Sequence, residues 1–282
     1  MSKPPTRHRP WLQRQSSPPR RGERSDQQPA AAETCQLYGV HTAAAALANP
    51  RRLVRRVLAT EAMAARLADA LSKRGIEPEI AAARDLDRRL GGESVHQGIL
   101  VEADYLSEPD LETMCAPRAD ALPPLLMALD QVTDPHNGGA LLRSAAVFGV
   151  AGVIMTRLHS PPLSGVLAKA ASGALEHVPV ALVTNLARAL EELEDLGVYR
   201  IGLDGDAHGT LEGERMTGPT ALVLGAEGRG LRRLTRERCD VLCRIATFGA
   251  MRSLNVSNAA AVALHALRTG RPQSPPQTGD SS

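Results

Sequence analysis

The chain has 282 residues, of which 43% are hydrophobic and 23% are charged, and its formal net charge is only +2. A chain of this length can bury a sizeable core in one or two domains, and its composition excludes a protein that binds nucleic acid simply as a polycation. No apolar run approaches the ~18 residues of a transmembrane helix, and the basic N-terminus lacks the apolar segment of a secretory signal.

The four cysteines, Cys35, Cys115, Cys239 and Cys243, do not form a metal-binding pattern. Cys239 and Cys243 are four residues apart, but no second pair or nearby histidine accompanies them, which is poor spacing for zinc. We expect free, partly buried thiols and therefore a cytoplasmic protein without a metal site.

Both ends of the chain are predicted to be disordered. Residues 1–34 form a Pro-rich arm whose first 33 residues hold seven basic and three acidic side chains. Residues 271–282 form a second polar tail. Segments of this kind cannot build a core. The arm either attracts phosphate groups through its positive charge or is a solvated tail without a function.

The first ordered block, residues 35–106, alternates helices and strands and is predicted to be a small α/β domain. A helix over about 42–48 ends before Pro50, and a second helix, with Thr60 as a candidate N-cap, ends at Gly75. The basic cluster of Arg51, Arg52, Arg55 and Arg56 is interpreted as a solvated edge, with an RNA-facing patch as the alternative. The acidic, Pro-containing residues 107–122 are interpreted as a linker.

The second block, residues 123–270, alternates about six buried strands with helices. This pattern predicts a mostly parallel sheet that is covered on both faces. Asn185 is a candidate cap of one helix, and Ser253 and Asn255 are candidate caps of the last helix.

Three loops that leave predicted strand ends carry unusual residues, and ligands of open parallel sheets bind at these ends. The first loop contains Asn137, followed by Arg143 in the next helix. The second places glycines, Gly225 among them, around Glu227, and the third contains Ser253 and Asn255. The glycine patterns of dinucleotide and phosphate loops are missing, which makes a nicotinamide-dependent dehydrogenase a weak alternative.

The stretches TDPHNGGALLRSAAVFG, ALVLGAEGRGL and RSLNVSNAAAV resemble, in order and spacing, the three signature motifs of the SpoU family of RNA ribose 2′-O-methyltransferases. YGVHTAAAAL and the HQGI of residues 96–99 resemble that family's N-terminal substrate-binding domain. The similarity extends over about residues 36–268. It is closest to the branch that methylates a guanosine ribose in 23S ribosomal RNA, and a tRNA substrate is the alternative.

This resemblance implies a C-terminal α/β knot, in which the last helix is threaded through a loop, preceded by a small ribosomal-protein-like α/β domain. It implies that S-adenosylmethionine is the methyl donor, that RNA is the partner, and that the protein is a homodimer through its C-terminal domain. By motif match, the donor would contact Gly225, Ile245 and Leu254. No metal is implied.

The resemblance also assigns the other site residues. Arg143 would activate the ribose hydroxyl or, as a permanently charged guanidinium, clamp the target phosphate, and both roles stay open. Asn137 would hold Arg143 or the ribose, with a helix N-cap as the alternative. Glu227 would pair with an arginine of the site, in its own subunit or across the dimer, with a solvated turn residue as the alternative. Ser253 and Asn255 would cap the last helix and contact the substrate.

The third motif departs from the family pattern. The family has proline and methionine after the isoleucine, whereas here Ile245 is followed by Ala246, Thr247 and Phe248, so we expect an altered pocket rim. Lys169 and Glu176 match less specific positions without an assigned role. A non-catalytic RNA-binding or ribosome-assembly factor with this fold is a further alternative, and the intact Asn137, Arg143, Glu227 and Asn255 argue against it.

Overall fold

The computed structural model describes residues 34–92, 94–117, 122–214, 218–250 and 253–270. The predicted tail, and all but the last residue of the predicted arm, lie outside these residues. No helix in the described ranges is long and apolar enough to cross a membrane.

The first block forms a four-stranded sheet with helices packed against it. Its described elements are β1 (Thr34–Tyr38), α1 (Val40–Ala48), β2 (Val54–Ala59), α2 (Glu61–Arg66), α3 (Ala68–Arg74), β3 (Glu79–Ile80), α4 (Ala83–Leu90) and β4 (Ile99–Asp104). The strand order is β1-β4-β2-β3, in which β4 is antiparallel to both neighbours and β3 is parallel to β2.

The predicted single helix between Thr60 and Gly75 is wrong in one respect, because it is interrupted at Leu67. Leu67 leaves the helical conformation, with φ −106° and ψ 14°, and turns its side chain into the core, where it is 8% exposed. Thr60 occupies the N-cap position, but its side chain makes no capping hydrogen bond. Gly75 ends α3 in the left-handed conformation, as predicted.

The second block forms a seven-stranded sheet in which all pairs are parallel. Its described elements are β5 (Leu125–Asp130), α6 (Pro135–Val147), β6 (Gly152–Thr156), α7 (Gly165–Ala171), β7 (Val180–Val183), α8 (Leu186–Asp195), β8 (Tyr199–Leu203), β9 (Gly209–Thr210), β10 (Thr220–Gly225), α9 (Arg233–Glu237), β11 (Val241–Arg244) and α10 (Val256–Thr269). The strand order is β7-β6-β5-β10-β8-β11-β9. The predicted α/β class with a parallel sheet is confirmed, and β9 is an additional two-residue strand.

Strand β5 shows why the larger sheet carries helices on both faces. Leu125, Met127 and Leu129 belong to one set of buried side chains, whereas Leu126 and Ala128 belong to another. Successive side chains of a strand point to opposite faces, so both faces of β5 are buried. The first of these sets also contains buried side chains of β1, β2 and β4, so the two blocks share one core.

The predicted linker contains a short helix, α5 (Leu111–Cys115), that is anchored to the larger sheet. Asp110 caps this helix by accepting a hydrogen bond from the backbone N–H of Thr113 at 2.7 Å. Leu111 and Met114 are buried, and Met114 lies so close to Gly152 that a side chain there would collide with it. Leu111 and Met114 therefore anchor this part of the predicted linker to the larger sheet.

The arginine cluster of the first block is not a uniform solvated edge. Arg55 and Arg56 form ion pairs with Asp104 and Glu79 at the surface, as expected of such an edge. Arg52, in contrast, is 1% exposed. The prediction was wrong for Arg52 because its partner, Glu176, lies 124 residues away in the sequence.

A buried arginine on β8 gives the second block a pH-dependent contribution to stability. Arg200 is 4% exposed and pairs with Asp240 through Nη2–Oδ1 at 2.7 Å. This guanidinium lowers the pKa of Asp240 below its ordinary value of 3.8. The pair therefore stabilises the fold above that value, and its contribution is lost as the pH falls through the lowered pKa.

We expect Asp240→Asn to lower the free energy of unfolding at neutral pH, with the difference from the parent shrinking as the pH falls below 3.8. Urea unfolding at a series of pH values measures this difference. Glu237→Gln, which removes an exposed pair with Arg233, should have little effect at any pH. A deficit of the Asp240 variant that does not change with pH would contradict the assignment.

Candidate functional site

A cleft of about 730 Å³ opens at one edge of the larger sheet. Because the strands are parallel, the carboxyl ends of β8, β10 and β11 meet at this edge, and the loops that follow them form the walls. The lining comprises residues 203–206, 224–231, 236, 244, 245, 247, 253–256 and 259. The volume lies within the range of small-molecule binding sites.

The first predicted loop is shorter than expected, because α6 begins at Pro135 rather than near Ala140. Asp134 is the N-cap, and its carboxylate accepts hydrogen bonds from the backbone N–H groups of His136 at 3.0 Å and Asn137 at 3.3 Å. Proline at the first helical position and aspartate before it are a favoured helix start. Asn137 therefore lies within the first turn, and its side chain is free for other contacts.

Only one of the two residues predicted to cap the last helix, α10, does so. Asn255 caps α10 through Oδ1, which accepts a hydrogen bond from the backbone N–H of Ser257 at 2.9 Å. Ser253 lies two residues earlier, is exposed and does not cap the helix. Because the cap uses Oδ1 of Asn255, the amide nitrogen of the same side chain can point into the cleft.

Three polar side chains, one from the first turn of α6 and one from each of the second and third loops, form one hydrogen-bonded network. The Nδ2 of Asn255 donates to Oδ1 of Asn137 at 3.0 Å and to Oε2 of Glu227 at 3.3 Å. The Nδ2 of Asn137 donates to the same Oε2 at 3.2 Å. The second oxygen of Glu227 accepts no hydrogen bond from the described residues, so it is available to a ligand hydroxyl.

The glycine loop after β10 is folded tightly back on itself. Ala226 and Gly230 form an isolated antiparallel bridge, and Gly228 and Gly230 have φ values of 81° and 64°. A side chain at Gly225 would place its Cβ 2.1 Å from the carbonyl carbon of Gly230. Only glycine fits at position 225, because the backbone of Gly230 approaches it so closely.

Asp130 supports the glycine loop, a role that we did not predict. It ends β5, is 1% exposed, and accepts a hydrogen bond at Oδ1 from Nε of Arg232 at 2.6 Å. Its Oδ2 accepts a second hydrogen bond from the backbone N–H of Arg232 at 2.9 Å. These bonds fix the exit of the glycine loop. An acidic residue at the end of an otherwise apolar strand was the signal in the sequence.

The structure brings seven of the eight predicted site residues together. Six of them line the cleft: Gly225, Glu227, Ile245, Ser253, Leu254 and Asn255. Asn137 joins them through its hydrogen bonds to Glu227 and Asn255.

Arg143 does not line the cleft of its own chain. It follows Asn137 by six residues on α6, which turns its side chain by about 240° around the helix axis. Arg143 is exposed and forms no hydrogen bond or ion pair with a described residue. It lies one turn before Val147, which is 76% exposed, on the same face of the helix.

The part of the third motif that departs from the family pattern lies beside the cleft. Ile245 and Thr247 line it, whereas Phe248 is 98% exposed. Gly249 follows, and no atom of the described part of the chain would lie within 4 Å of a Cβ added there.

The cysteines are not suited to nucleophilic chemistry. All four are free, and burial raises the pKa of the Cys115 and Cys243 thiols to about 11 and that of Cys239 to about 12. Burial also raises the pKa of Cys35. A protonated thiol is a weak nucleophile. Within the described ranges, no group of three histidine, cysteine or acidic side chains could hold a metal ion.

Two family models match the chain. Residues 124–265 match the SpoU rRNA Methylase family, and residues 36–109 match the RNA 2′-O ribose methyltransferase substrate binding family. A relative from Pasteurella multocida, named 23S rRNA (guanosine-2′-O-)-methyltransferase RlmB, is 43% identical over 237 residues, which cover 81% of this chain and 95% of that protein. The protein of the same name from Vibrio cholerae is 40% identical over 81% of this chain and 94% of its own length.

Solved structures have a similar fold. The SpoU methyltransferase AviRb from Streptomyces viridochromogenes, solved with AdoMet, has a TM-score of 0.69 and 25% identity, covering 83% of this chain and 89% of its own. An rRNA methyltransferase from Sinorhizobium meliloti has a TM-score of 0.70 and 20% identity, covering 84% of this chain and 87% of its own, which supports the fold alone.

Proposed function

The chain belongs to the SpoU rRNA Methylase family, and from that premise we propose that it transfers a methyl group from S-adenosylmethionine to a ribose 2′-hydroxyl of RNA. The observation that carries the proposal is the network of Asn137, Glu227 and Asn255 at the cleft. It joins three loops that are far apart in the sequence beside a cleft large enough for the donor.

The residues that line the cleft fit this donor. When bound, S-adenosylmethionine supplies an electrophilic methyl group, so the protein has to orient the acceptor and receive a proton. The donor carries both positive and negative groups, and the cleft offers both signs, with acidic Asp204 and Asp206 and basic Arg244. Gly225, Ile245 and Leu254 would hold it, largely through backbone.

We propose that Glu227 receives the proton of the ribose hydroxyl. The 2′ oxygen has to lose its proton as its bond to the methyl carbon forms, and it needs an acceptor within hydrogen-bond reach. Glu227 is an acceptor-only group, and Asn137 and Asn255 hold one of its oxygens in place. The guanidinium of Arg143 is always charged, so a phosphate clamp or stabilisation of negative charge on the oxygen suits it better.

We expect Glu227→Gln to lower the turnover number about 10²-fold, because glutamine keeps the shape of the side chain but cannot take a proton at neutral pH. Donor affinity should stay within about twofold of the parent, because the proton acceptor acts only on the ribose hydroxyl. Steady-state methyl transfer and donor titration measure the two quantities. Turnover equal to that of the parent would exclude Glu227 as the proton acceptor.

We further propose that the substrate is 23S ribosomal RNA and the target a guanosine ribose. Relatives at about 40% identity that align over nearly their whole length carry that activity in their names. The first block supports an RNA substrate, because it matches a substrate-binding family of RNA 2′-O-methyltransferases. Incubation of the protein with labelled donor and deproteinised rRNA tests the proposal. Retained RNA binding without label transfer would favour a non-catalytic RNA-binding factor.

We propose that the protein is a homodimer and that Arg143 acts across the subunit interface. Arg143 lies away from its own cleft, beside the exposed Val147. Val262, on the neighbouring helix α10, is also exposed, at 44%. A patch of this kind, on two helices that pack together, is suited to a second copy of the chain.

We also propose that α10 is threaded through a loop, as in the family's α/β knot. The strand order supports this, because the late strand β10 lies between β5 and β8, and β11 lies beyond β8. The chain therefore adds a strand at the centre of the sheet, β10, shortly before its last helix. An experimental density map that traces residues 204–256 decides whether the threading is present.

A further inference from the structure

The two blocks are joined by a buried ion pair that the proposed chemistry does not use. The Nη2 of Arg52 lies 2.6 Å from Oε1 of Glu176, and its Nε lies 3.1 Å from both carboxylate oxygens. Both side chains are 1% exposed. Removing either partner would leave a buried charge without its counter-charge, so each residue requires the other.

The remaining polar atoms of this pair also have hydrogen-bond partners, and these partners belong to different elements of the first block. Nη1 of Arg52 donates to the backbone oxygen of Asp104 at 2.8 Å. Nδ2 of Asn49, the C-cap of α1, donates to Oε2 of Glu176 at 2.8 Å. Nearby, Oγ1 of Thr42 donates to the backbone oxygen of Ala168 at 3.1 Å. The junction therefore has one defined hydrogen-bonding geometry.

Glu176 is connected to the candidate site through packed backbone. It ends the 3-10 turn Ala174–Glu176, which follows α7 closely. Helix α7 packs on the first turn of α6 so tightly that a Cβ at Gly139 would lie 2.4 Å from Cβ of Ala170 and 2.7 Å from the backbone nitrogen of Ala171. Asn137 lies two residues before Gly139. The pair thus holds the first block against the element that carries Asn137.

We propose that Arg52 and Glu176 are positioning residues, which hold the RNA-binding block in a fixed orientation to the cleft so that bound RNA presents its ribose to Glu227. This inference rests on the proposed function. Two apolar side chains would stabilise the junction as well as a buried pair does, but without a directional geometry. A bidentate pair with a third partner, Asn49, defines one orientation.

The decisive variant is the double replacement Arg52→Met with Glu176→Leu, which removes both charges and fills the space. We expect it to fold with a Tm close to that of the parent. Its kcat/KM for rRNA should fall by about 10- to 100-fold, through KM and kcat together, because RNA held in varying orientations binds less well and presents its ribose to the cleft less often. Its donor affinity should stay within about twofold, since the pair lies outside the cleft.

Glu176→Gln gives a second test, since it keeps the shape but leaves Arg52 without its counter-charge. We expect Glu176→Gln to be less stable than the double variant. If Glu176→Gln does not fold, the double variant alone tests the inference. The matched control is Arg238→Gln with Glu191→Gln, which removes an exposed ion pair within the second block. The control should keep the parent's KM, kcat and Tm.

A distance measurement between the blocks separates this inference from the proposed function. Spin labels on cysteines introduced at Arg66 and Arg188, both exposed, report the orientation of the blocks without any RNA. We expect a narrow distance distribution in the parent and a broader one in the double variant. If the parent methylates no RNA, the proposed function is wrong. The distance distribution then tests by itself whether the two blocks have a fixed orientation. A stable double variant with the parent's KM and distance distribution would overturn the inference.

Discussion

Arg143→Ala is expected to lower methyl transfer by about 10²- to 10³-fold, the loss found when a group that stabilises developing charge is removed. Donor affinity should stay within about twofold, because Arg143 lies outside the cleft that would hold the donor. Stability should not change, because the side chain is exposed and forms no hydrogen bond or ion pair with a described residue. Single-turnover transfer and donor titration measure the first two effects, and thermal unfolding the third.

The matched control is Arg188→Ala, an exposed arginine on α8 that also lacks an ion pair among the described residues. It should behave as the parent does. A parental rate in the Arg143 variant would exclude this arginine from the reaction.

A mixing experiment tells whether Arg143 acts on its own cleft or on that of a partner. If each site is shared between subunits, a dimer of one Arg143→Ala subunit and one Asn255→Ala subunit contains one site in which both residues are intact. Random mixing should then restore about a quarter of the parental sites in a two-fold symmetric assembly. If Arg143 acts within its own subunit, no site regains both residues and the mixture stays inactive.

Gly225→Ala is expected to lower donor affinity by about 10- to 100-fold, because the added methyl group forces a backbone shift that costs about 1–3 kcal/mol in the loop that lines the cleft. The collision is with backbone, since the new Cβ would lie 2.1 Å from the carbonyl carbon of Gly230 and 2.4 Å from the nitrogen of Leu231. Neither atom can move without displacing the bridge between Ala226 and Gly230. Isothermal titration with S-adenosylmethionine measures the change.

Gly249→Ala is the control for this substitution. Gly249 follows Thr247, which lines the cleft, by two residues; its φ is not positive, and no atom of the described residues would approach an added Cβ within 4 Å. Its donor affinity should equal that of the parent. If the two alanine variants bind the donor equally well, the close approach at Gly225 has no part in forming the pocket.

The sequence predicted the parallel sheet and the three polar loops from local signals, whereas the donor contacts Gly225, Ile245 and Leu254 came from the resemblance to the family. Buried strands read as apolar runs, and the polar residues that follow several of them had to meet at one edge. The start of α6 was misplaced, although Asp134 and Pro135 are a readable cap and first residue. The two-residue strand β9 gave no periodic signal.

Residues whose role depends on distant partners could not be predicted. Arg52 belongs to a run of arginines that resembles a solvated surface, and only the fold places Glu176 beside it. Asp130 is buried because Arg232, far along the chain, reaches it after the glycine loop. Arg143 was predicted within the site from its motif, whereas the helical turn places it outside the cleft of its own chain.

The most direct test of the proposed convergence of three loops is to locate the transferred methyl group. Purified protein is incubated with isotopically labelled S-adenosylmethionine and deproteinised rRNA, and the RNA is digested to nucleosides and mapped by mass spectrometry. We predict label in 2′-O-methylguanosine at a single position of 23S rRNA, and its loss with Asn137→Ala or Asn255→Ala. Label on a nucleobase, or transfer that survives both substitutions, would contradict the account.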